Sequence, residues 1–430
     1  MAKSTQQSLQ NAVIYELFVR NHTPEGTFEA VIPDLDRIKG LGVDTIWLMP
    51  IHPIGKQNRK GKFGSPYAVA DYRLINPDYG SIESFMTLIQ EIHSREMKVI
   101  IDIVYNHVAL DSKIAMDFND WLYKKDAGVA GRKVPDWTDV VDLDYSHPEL
   151  WDYQVESLKF WLQIGIDGFR CDVASLLPLD FWRFAREECV EQKKDIIWLA
   201  ETLSPDFLIS LRTRGNEVLA DGELHEAFDL TYDYDGYHFL KLYLTEEISL
   251  SEYLNYILAQ DFIYPGHYIK LRFLENHDQQ RAPELCDGNK FAIYNWTAFQ
   301  IFLKGSFLLY AGQENKSTQP TALFEKEPMN WSEADADFNL FLKRMIRLKK
   351  NEIVQNGKFT LYPNVDFIAA KWEWEGKGLF GIFNVENISG ERKIYLSDGT
   401  YSNYLSKGQI EIHKGKIRMN EMPVILRYNK

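Results

Sequence analysis

A chain of 430 residues is too long for one small domain and suits a barrel of about 250 residues with additions. A net charge of -14 argues against a nucleic-acid backbone as the main partner and favours a neutral or cationic ligand. Apolar residues at 45% predict a large core, three sparse cysteines exclude a disulfide framework, and no apolar run suffices for a membrane span.

The N-terminus, MAKSTQQSLQ, lacks a basic segment followed by an apolar run, so the expected location is the cytoplasm. Short β-rich runs that end in polar residues then alternate with amphipathic stretches. Strands are predicted at Val13–Arg20, Thr45–Pro50, Val99–His107, Gly168–Asp172, Ile196–Glu201, Ala227–Tyr232, Ile269–Asp278 and Phe307–Gln313. Many are continuous apolar runs, as parallel strands buried on both faces are. Between them, Phe28, Val31, Leu35 and Ile38 recur at helical spacing, as do Ile82, Phe85, Ile89 and Ile92. The run Ser146-His-Pro-Glu149 resembles a capping box with proline in the first turn, ahead of a helix over 150–162. Further helices fit 180–191, 205–214, 250–260, 289–304 and 337–350. Eight strands alternating with helices predict an α/β fold, a closed (β/α)8 TIM barrel.

Two regions break the alternation. Between His107 and Ser146 the chain has no clear helical period, and a structureless loop that long is improbable, so 108–146 is read as a small inserted domain after strand 3. After residue 352, short alternating runs broken by Gly, Asn and Asp predict an antiparallel β-sandwich over 352–430. Residues 1–107 and 147–351 form the barrel.

Active sites in such barrels lie where strands end at the C-terminal face. Predicted strand ends here carry Asp102 with Asn106-His107, Arg170 with Asp172, Glu201, and Glu275-Asn-His277-Asp278. Carboxylates converging on one rim suit glycoside hydrolysis, which needs a nucleophile and a proton donor beside a cationic transition state. Arg170 stands two residues before Asp172, so strand alternation points both to the barrel axis, where the cation keeps Asp172 ionised.

The segments DIVYNH, GFRCD, WLAE and FLENHD are similar to the four ordered sequence regions of glycoside hydrolase family 13, the α-amylase family. GVDTIWLMPI, GSPYAVADYRLINPDYGSIESF, VVDLDYSHPELWDY and LLYAGQE resemble its supporting regions, and the likeness spans roughly residues 12–315. The resemblance implies that Asp172 is the nucleophile, Glu201 the general acid/base and Asp278 the transition-state stabiliser. It implies substrate-binding roles for Tyr67, His107, Arg170 and His277. Asn106 resembles a ligand of the structural calcium often found between barrel and inserted domain, and Asp117, Asp120, Asp136 and Asp139 are further carboxylates there. No organic cofactor is implied. Many family members carry Lys and His three and four positions after the nucleophile; here these are Ser175 and Leu176, which puts leaving-group-side contacts in doubt.

The leading expectation is a retaining hydrolase of α-1,4-glucosidic bonds in starch, glycogen or maltooligosaccharides. The alternative is an α-glucanotransferase, or an exo-acting α-glucosidase or maltodextrinase, on short maltooligosaccharides. A non-catalytic barrel is disfavoured because Asp172, Glu201 and Asp278 are all present. The short insertion predicts a cleft open at both ends, hence cleavage of internal bonds, with Trp121, Tyr123, Trp137 and Tyr145 as aromatic rim candidates.

Overall fold

The computed structural model describes residues 2, 4–125, 128–332, 334–406 and 408–429. Eight buried strands pair in parallel around a closed barrel: β1 (Val13–Leu17), β2 (Thr45–Leu48), β3 (Lys98–Ile103), β4 (Gly168–Cys171), β5 (Ile197–Ala200), β6 (Leu230–Tyr232), β7 (Lys270–Arg272) and β8 (Ser306–Tyr310). Each pairs with its chain neighbours, and β8 closes on β1 through Val13↔Phe307. Between β3 and β4 the register sets Asp102 beside Arg170. Gly168 opens β4 because any Cβ there would stand 2.1 Å from the Ile197 carbonyl of β5.

The strands are shorter than the sequence predicts, and the surplus is where the chemistry lies. β1 stops at Leu17, and Val19–His22 forms a helical turn. β3 stops at Ile103, and His107–Ala109 pairs antiparallel with Val140–Asp142 to found the inserted domain. β7 keeps only Lys270–Arg272, so Phe273–Asp278 leaves the ladder before reaching its acids. Apolar composition predicts burial, and these segments are buried up to the exposed Asp278, but outside the barrel ladder.

Helices start and stop where their caps are. Ser81 and Ser249 close capping boxes, and Gly42 and Gly165 end helices in the left-handed region. The box predicted at Ser146 does not form. Pro148 opens the helix Pro148–Ile164, which makes His147 the cap residue and leaves Ser146 one position too early. The helix Tyr234–Leu244 was not predicted; its Asp-Tyr-Asp-Gly start reads as a turn.

The last eight strands are β9 (Lys358–Tyr362), β10 (Ile368–Trp374), β11 (Lys377–Phe383), β12 (Glu391–Lys393), β13 (Gly399–Asn403), β14 (Gln409–Ile412), β15 (Lys416–Arg418) and β16 (Val424–Asn429). Six form one antiparallel sheet, ordered β9-β10-β11-β16-β13-β14, and β12 pairs with β15 as a ribbon. Alternation gives β10 two buried faces: Ile368, Ala370 and Trp372 join the barrel core, and Ala369 joins a separate core with Phe380, Ile417 and Leu426. The Trp372 indole donates to the Phe302 carbonyl at 2.8 Å and anchors the sheet on the barrel.

Candidate active site

Arg170 is the centre of the site. It is fully buried, and its guanidinium lies 5.0 Å from the Trp47 ring. One terminal nitrogen donates to both oxygens of Asp102, at 2.9 and 3.1 Å, and to Asp172 Oδ1 at 3.0 Å. The other meets Glu201 Oε1 at 2.8 Å as an ion pair outside hydrogen-bond geometry. A single cation from β4 thus gathers carboxylates from the ends of β3, β4 and β5. Strand alternation delivers them: Asp102 and Arg170 are register partners, and Asp172 follows two residues on.

The residue after Asp172 fixes the second carboxyl. Val173 sits at φ 36° and ψ 46°, a left-handed conformation that costs a β-branched residue about 1–3 kcal/mol. The strain aims its N–H at Glu201 Oε2, 2.7 Å away. Burial pushes Glu201 up to about 8 against the pull of Arg170, with Asp172 and Asp278 adding repulsion. Burial likewise raises Asp102 and Asp172 to about 7, again against Arg170. Three carboxyls around one guanidinium are short of cation, so burial and mutual repulsion favour keeping a proton on the cluster.

A second chain of contacts runs across the barrel. The Tyr67 hydroxyl donates to Asp102 at 3.2 Å and lies 2.7 Å from His277 Nε2, while the two rings stack at 5.5 Å. His277 Nδ1 bonds Glu16 of β1, and Nε2 lies 3.2 Å from Asp278. Burial alone would lower His277, but Asp278 and Glu16 outweigh it and hold it up to about 9. Acidic groups at both nitrogens thus favour the protonated ring, which donates from each. Asp278 is the open member of the set, with 39% of its side chain exposed. His107 is lowered by burial, and the Asn106 carboxamide donates to its Nδ1 at 3.2 Å, which leaves Nε2 as the protonated nitrogen, engaged with the Tyr67 backbone carbonyl. The structure brings together Asp172, Glu201, Asp278, Tyr67, His107, Arg170 and His277.

Two cavities meet at this cluster, sharing Trp137, Val173, Glu201 and Asp278. One, of about 200 Å3, holds Asp172, Tyr67 and His107. The other, of about 430 Å3, runs past Thr202 and Leu203 to Tyr234, His238 and Lys241. Glu16, Lys60, Tyr234, His238 and Lys241 were not singled out from sequence. An acid inside the apolar run VIYELF was a usable signal for Glu16; the others lie on a loop and a helix without a motif. Of the aromatic candidates only Trp137 lines these cavities. Trp121 stacks on Phe118, the Tyr145 hydroxyl donates to the Tyr105 carbonyl, and Tyr123 lines a different groove. Ser175 and Leu176 are buried and line neither active cavity.

The surroundings of Asn106 do not fit calcium, which needs six to eight oxygens. Its Nδ2 is turned to His107 and Asp142, and the other Asp142 oxygen accepts the Lys133 N–H at 2.8 Å. The Lys133 ammonium itself donates to the Leu176 carbonyl at 3.3 Å, so a cation is already present. Asp117, Asp120 and Asp139 pair with Lys113, Lys124 and Lys60, and among the described residues no group of three His, Cys, Asp or Glu is placed to hold a metal. Among the same residues, no helix is long and apolar enough to cross a membrane.

Comparison with known proteins agrees with this architecture. The alpha amylase catalytic domain family matches residues 2–137 and 135–356, and the bacterial alpha amylase C-terminal domain family matches 358–426. The crystal structure of an alpha-amylase from Lactobacillus plantarum is 38% identical, with a TM-score of 0.93 over 98% of this chain and 100% of that one. A noncanonic maltogenic alpha-amylase from Thermotoga neapolitana is 31% identical, with a TM-score of 0.87 over 98% and 99%. Neopullulanase 2 of Thermoactinomyces vulgaris is 27% identical over 75% of this chain and 56% of its own length. The chain spans about half to three-fifths of the length of such curated relatives.

Proposed function

The chain belongs to the α-amylase family, and from that premise we propose that it is a retaining hydrolase of α-1,4-glucosidic bonds in maltooligosaccharides. The observation that carries the reading is the Arg170 cluster, where one guanidinium holds Asp172 and Glu201 beside each other at the junction of two cavities. Arg170 reaches the two carboxyls through its two terminal nitrogens at 3.0 and 2.8 Å, and we read this as the paired nucleophile and acid of a retaining enzyme.

In this mechanism Asp172 attacks the anomeric carbon while the protonated Glu201 gives its proton to the leaving oxygen. A covalent glycosyl–Asp172 ester forms and the C–O bond breaks. Glu201, now ionised, takes a proton from water as that water attacks the same carbon and releases Asp172. Arg170 and Asp102 orient the nucleophile. His277 uses both ring nitrogens on Glu16, Tyr67 and Asp278 and so positions Tyr67 and Asp278 for the sugar, while His107 and the Tyr67 ring face the nucleophile-side cavity. Asp278, exposed and acceptor-only when ionised, takes sugar hydroxyls and offsets positive charge at the anomeric carbon. Proton NMR of the first product tests the reading: the α-anomer is expected, and an initial β-anomer would overturn it.

Transfer is the second reading. The cavity on the leaving-group side is the roomier of the two and carries Tyr234, Tyr237 and Lys241, so it suits a sugar acceptor as well as water. Products longer than the input at high oligosaccharide concentration would support it.

A further inference from the structure

Lys60 lies in the loop between β2 and Tyr67, in a stretch (QNRKGKFGS) that reads as solvated polar chain. In the fold it bridges three segments. Its ammonium pairs with Asp139 at 3.1 Å and donates to the Asp136 carbonyl at 3.2 Å, both in the inserted domain. It also stands 5.8 Å from the Phe324 ring in the loop after β8. The two loops are tied to each other as well. Phe63 N donates to the Phe324 carbonyl at 3.0 Å, and Lys62 N to Glu325 at 2.9 Å. The buried Arg20 donates to the Gly64 and Leu323 carbonyls at 3.0 and 2.9 Å. Asp139 is almost wholly buried, so losing its cation would leave a buried charge unpaired.

Lys60, Asp139, Leu323 and Phe324 line the cavity that holds Asp172. Chemistry assigns that cavity a direction. The glycosyl unit that bonds to the nucleophile belongs to the non-reducing side of the cleaved bond, and the oxygen protonated by Glu201 belongs to the reducing side. The cavity beyond Glu201, without Asp172, is therefore the leaving-group side. Pockets for drug-sized ligands run to about 300–1,000 Å3, and the nucleophile-side cavity is about 200 Å3 against about 430 Å3 for its neighbour. An ammonium has three donors, and the two fixed contacts leave one for a ligand hydroxyl.

We infer that Lys60 is a specificity-determining residue: tied to Asp139 and backed by Phe324, it closes the non-reducing end of the cleft and binds the terminal glucosyl hydroxyls, so the enzyme removes short units from chain ends. This inference rests on the hydrolase reading above and sharpens it. On this inference the cleft expected to be open at both ends is narrowed on the non-reducing side, where the cavity is about 200 Å3 against about 430 Å3 on the other.

The test uses the full chain with maltoheptaose and with maltoheptaose carrying a bulky acetal on its non-reducing terminal glucose. The wild type is expected to cleave the free-ended substrate to short products and to leave the blocked one intact. Lys60→Ala should raise the ratio of blocked to free cleavage by about tenfold or more, the scale of a lost discriminating contact. Asp139→Asn breaks only the charge pair and should shift the ratio the same way, which covers the case in which Lys60→Ala fails to fold. Wild-type cleavage of both substrates at similar rates overturns the inference and leaves hydrolysis standing. An unchanged ratio in folded variants of both residues overturns the part assigned to Lys60. No cleavage of either substrate overturns the hydrolase reading and the inference with it.

Discussion

The barrel contains two buried charge clusters that differ in what surrounds them. Arg170 gathers Asp102, Asp172 and Glu201 inside the strand ends. On the outer face of β7, Lys270 and Arg272 gather Asp221, Asp233 and Asp235 against the helices Tyr234–Leu244 and Leu250–Ile263. The outer cluster has two cations for three acids and is closed by neutral donors. Asp235 accepts from the Tyr264 and Tyr256 hydroxyls at 2.6 and 2.9 Å, and Gln260 donates to both Asp233 and Asp235. Arg272 also donates to Gln260 at 2.8 Å and to the Lys304 carbonyl. None of its five charged members lines either active cavity.

The inner cluster has one cation for three acids, leaves Arg170 Nε and Nη2 without hydrogen-bond partners, and opens to both cavities. Burial of charge alone therefore does not mark a catalytic site. A deficit of counter-charge facing an empty volume does, because only there can a substrate change the balance. The outer cluster should govern stability and the inner one chemistry, and substitutions can separate the two.

The largest separation is expected at Asp172. Asp172→Asn removes the nucleophile and its negative charge, and turnover of maltooligosaccharides should fall by about 10^4-fold or more. Asp102 stays hydrogen-bonded to Arg170, so the thermal midpoint should remain close to that of the wild type. Residual activity of a tenth, measured as reducing ends released, would remove Asp172 from the mechanism.

Glu201→Gln should split substrates by leaving group. Loss of a positioned acid costs about 10^2- to 10^4-fold where the leaving oxygen needs a proton. An activated aryl α-maltoside needs little protonation in the first step, so its glycosyl–enzyme formation, seen as a burst of phenolate, should survive. Equal losses in the burst and in oligosaccharide cleavage would assign the acid elsewhere.

Lys270→Met provides the opposite outcome. It leaves Asp221 and Asp235 buried without their cation, and breaking such a pair costs about 3–5 kcal/mol. Denaturant unfolding should show that loss, while activity per folded molecule stays near wild type. A change in product pattern at full folding would mean that the outer cluster reaches the site.

The two clusters were not equally legible in the sequence. Asp102, Arg170, Asp172 and Glu201 stand at the ends of short apolar runs, and period-two alternation suffices to place them on one rim. The outer cluster depends on the helix Tyr234–Leu244, whose first residues are turn-formers, so Asp233 and Asp235 read as loop acids. Phe273–Asp278 misled in the other direction: its apolar start extends the predicted strand, yet β7 ends at Arg272, and His277 and Asp278 reach the rim on a loop held by Glu16. Lys60 was invisible for a similar reason, since its partners Asp139 and Phe324 lie in segments far along the chain, with no local periodicity linking them.

The last expected difference is in pH dependence, where the two clusters part in sign. Glu201 is held up to about 8 by burial and by its acidic neighbours, so the protonated acid persists through neutral pH and is lost above it. The kcat/KM profile on maltooligosaccharides should therefore fall on its alkaline side near pH 8, about tenfold per pH unit past the midpoint. Stability follows with a fixed sign. A carboxyl whose folded value lies above its unfolded value of about 4.3 favours the fold while protonated, and that advantage drains away as pH rises through the folded value. Glu201→Gln has no proton to lose. Its thermal midpoint should match the wild type near pH 4, rise above it progressively between pH 4.3 and 8, and keep a constant lead beyond. Lys270→Met should show the opposite trend, falling further behind the wild type as pH rises, because Asp221 and Asp235 lose the cation that favours their ionised form. A Glu201→Gln lead that is flat from pH 4 to 9 would mean that the proton on the inner cluster sits on another carboxyl, and the alkaline limb of activity would then have to survive in that variant as well.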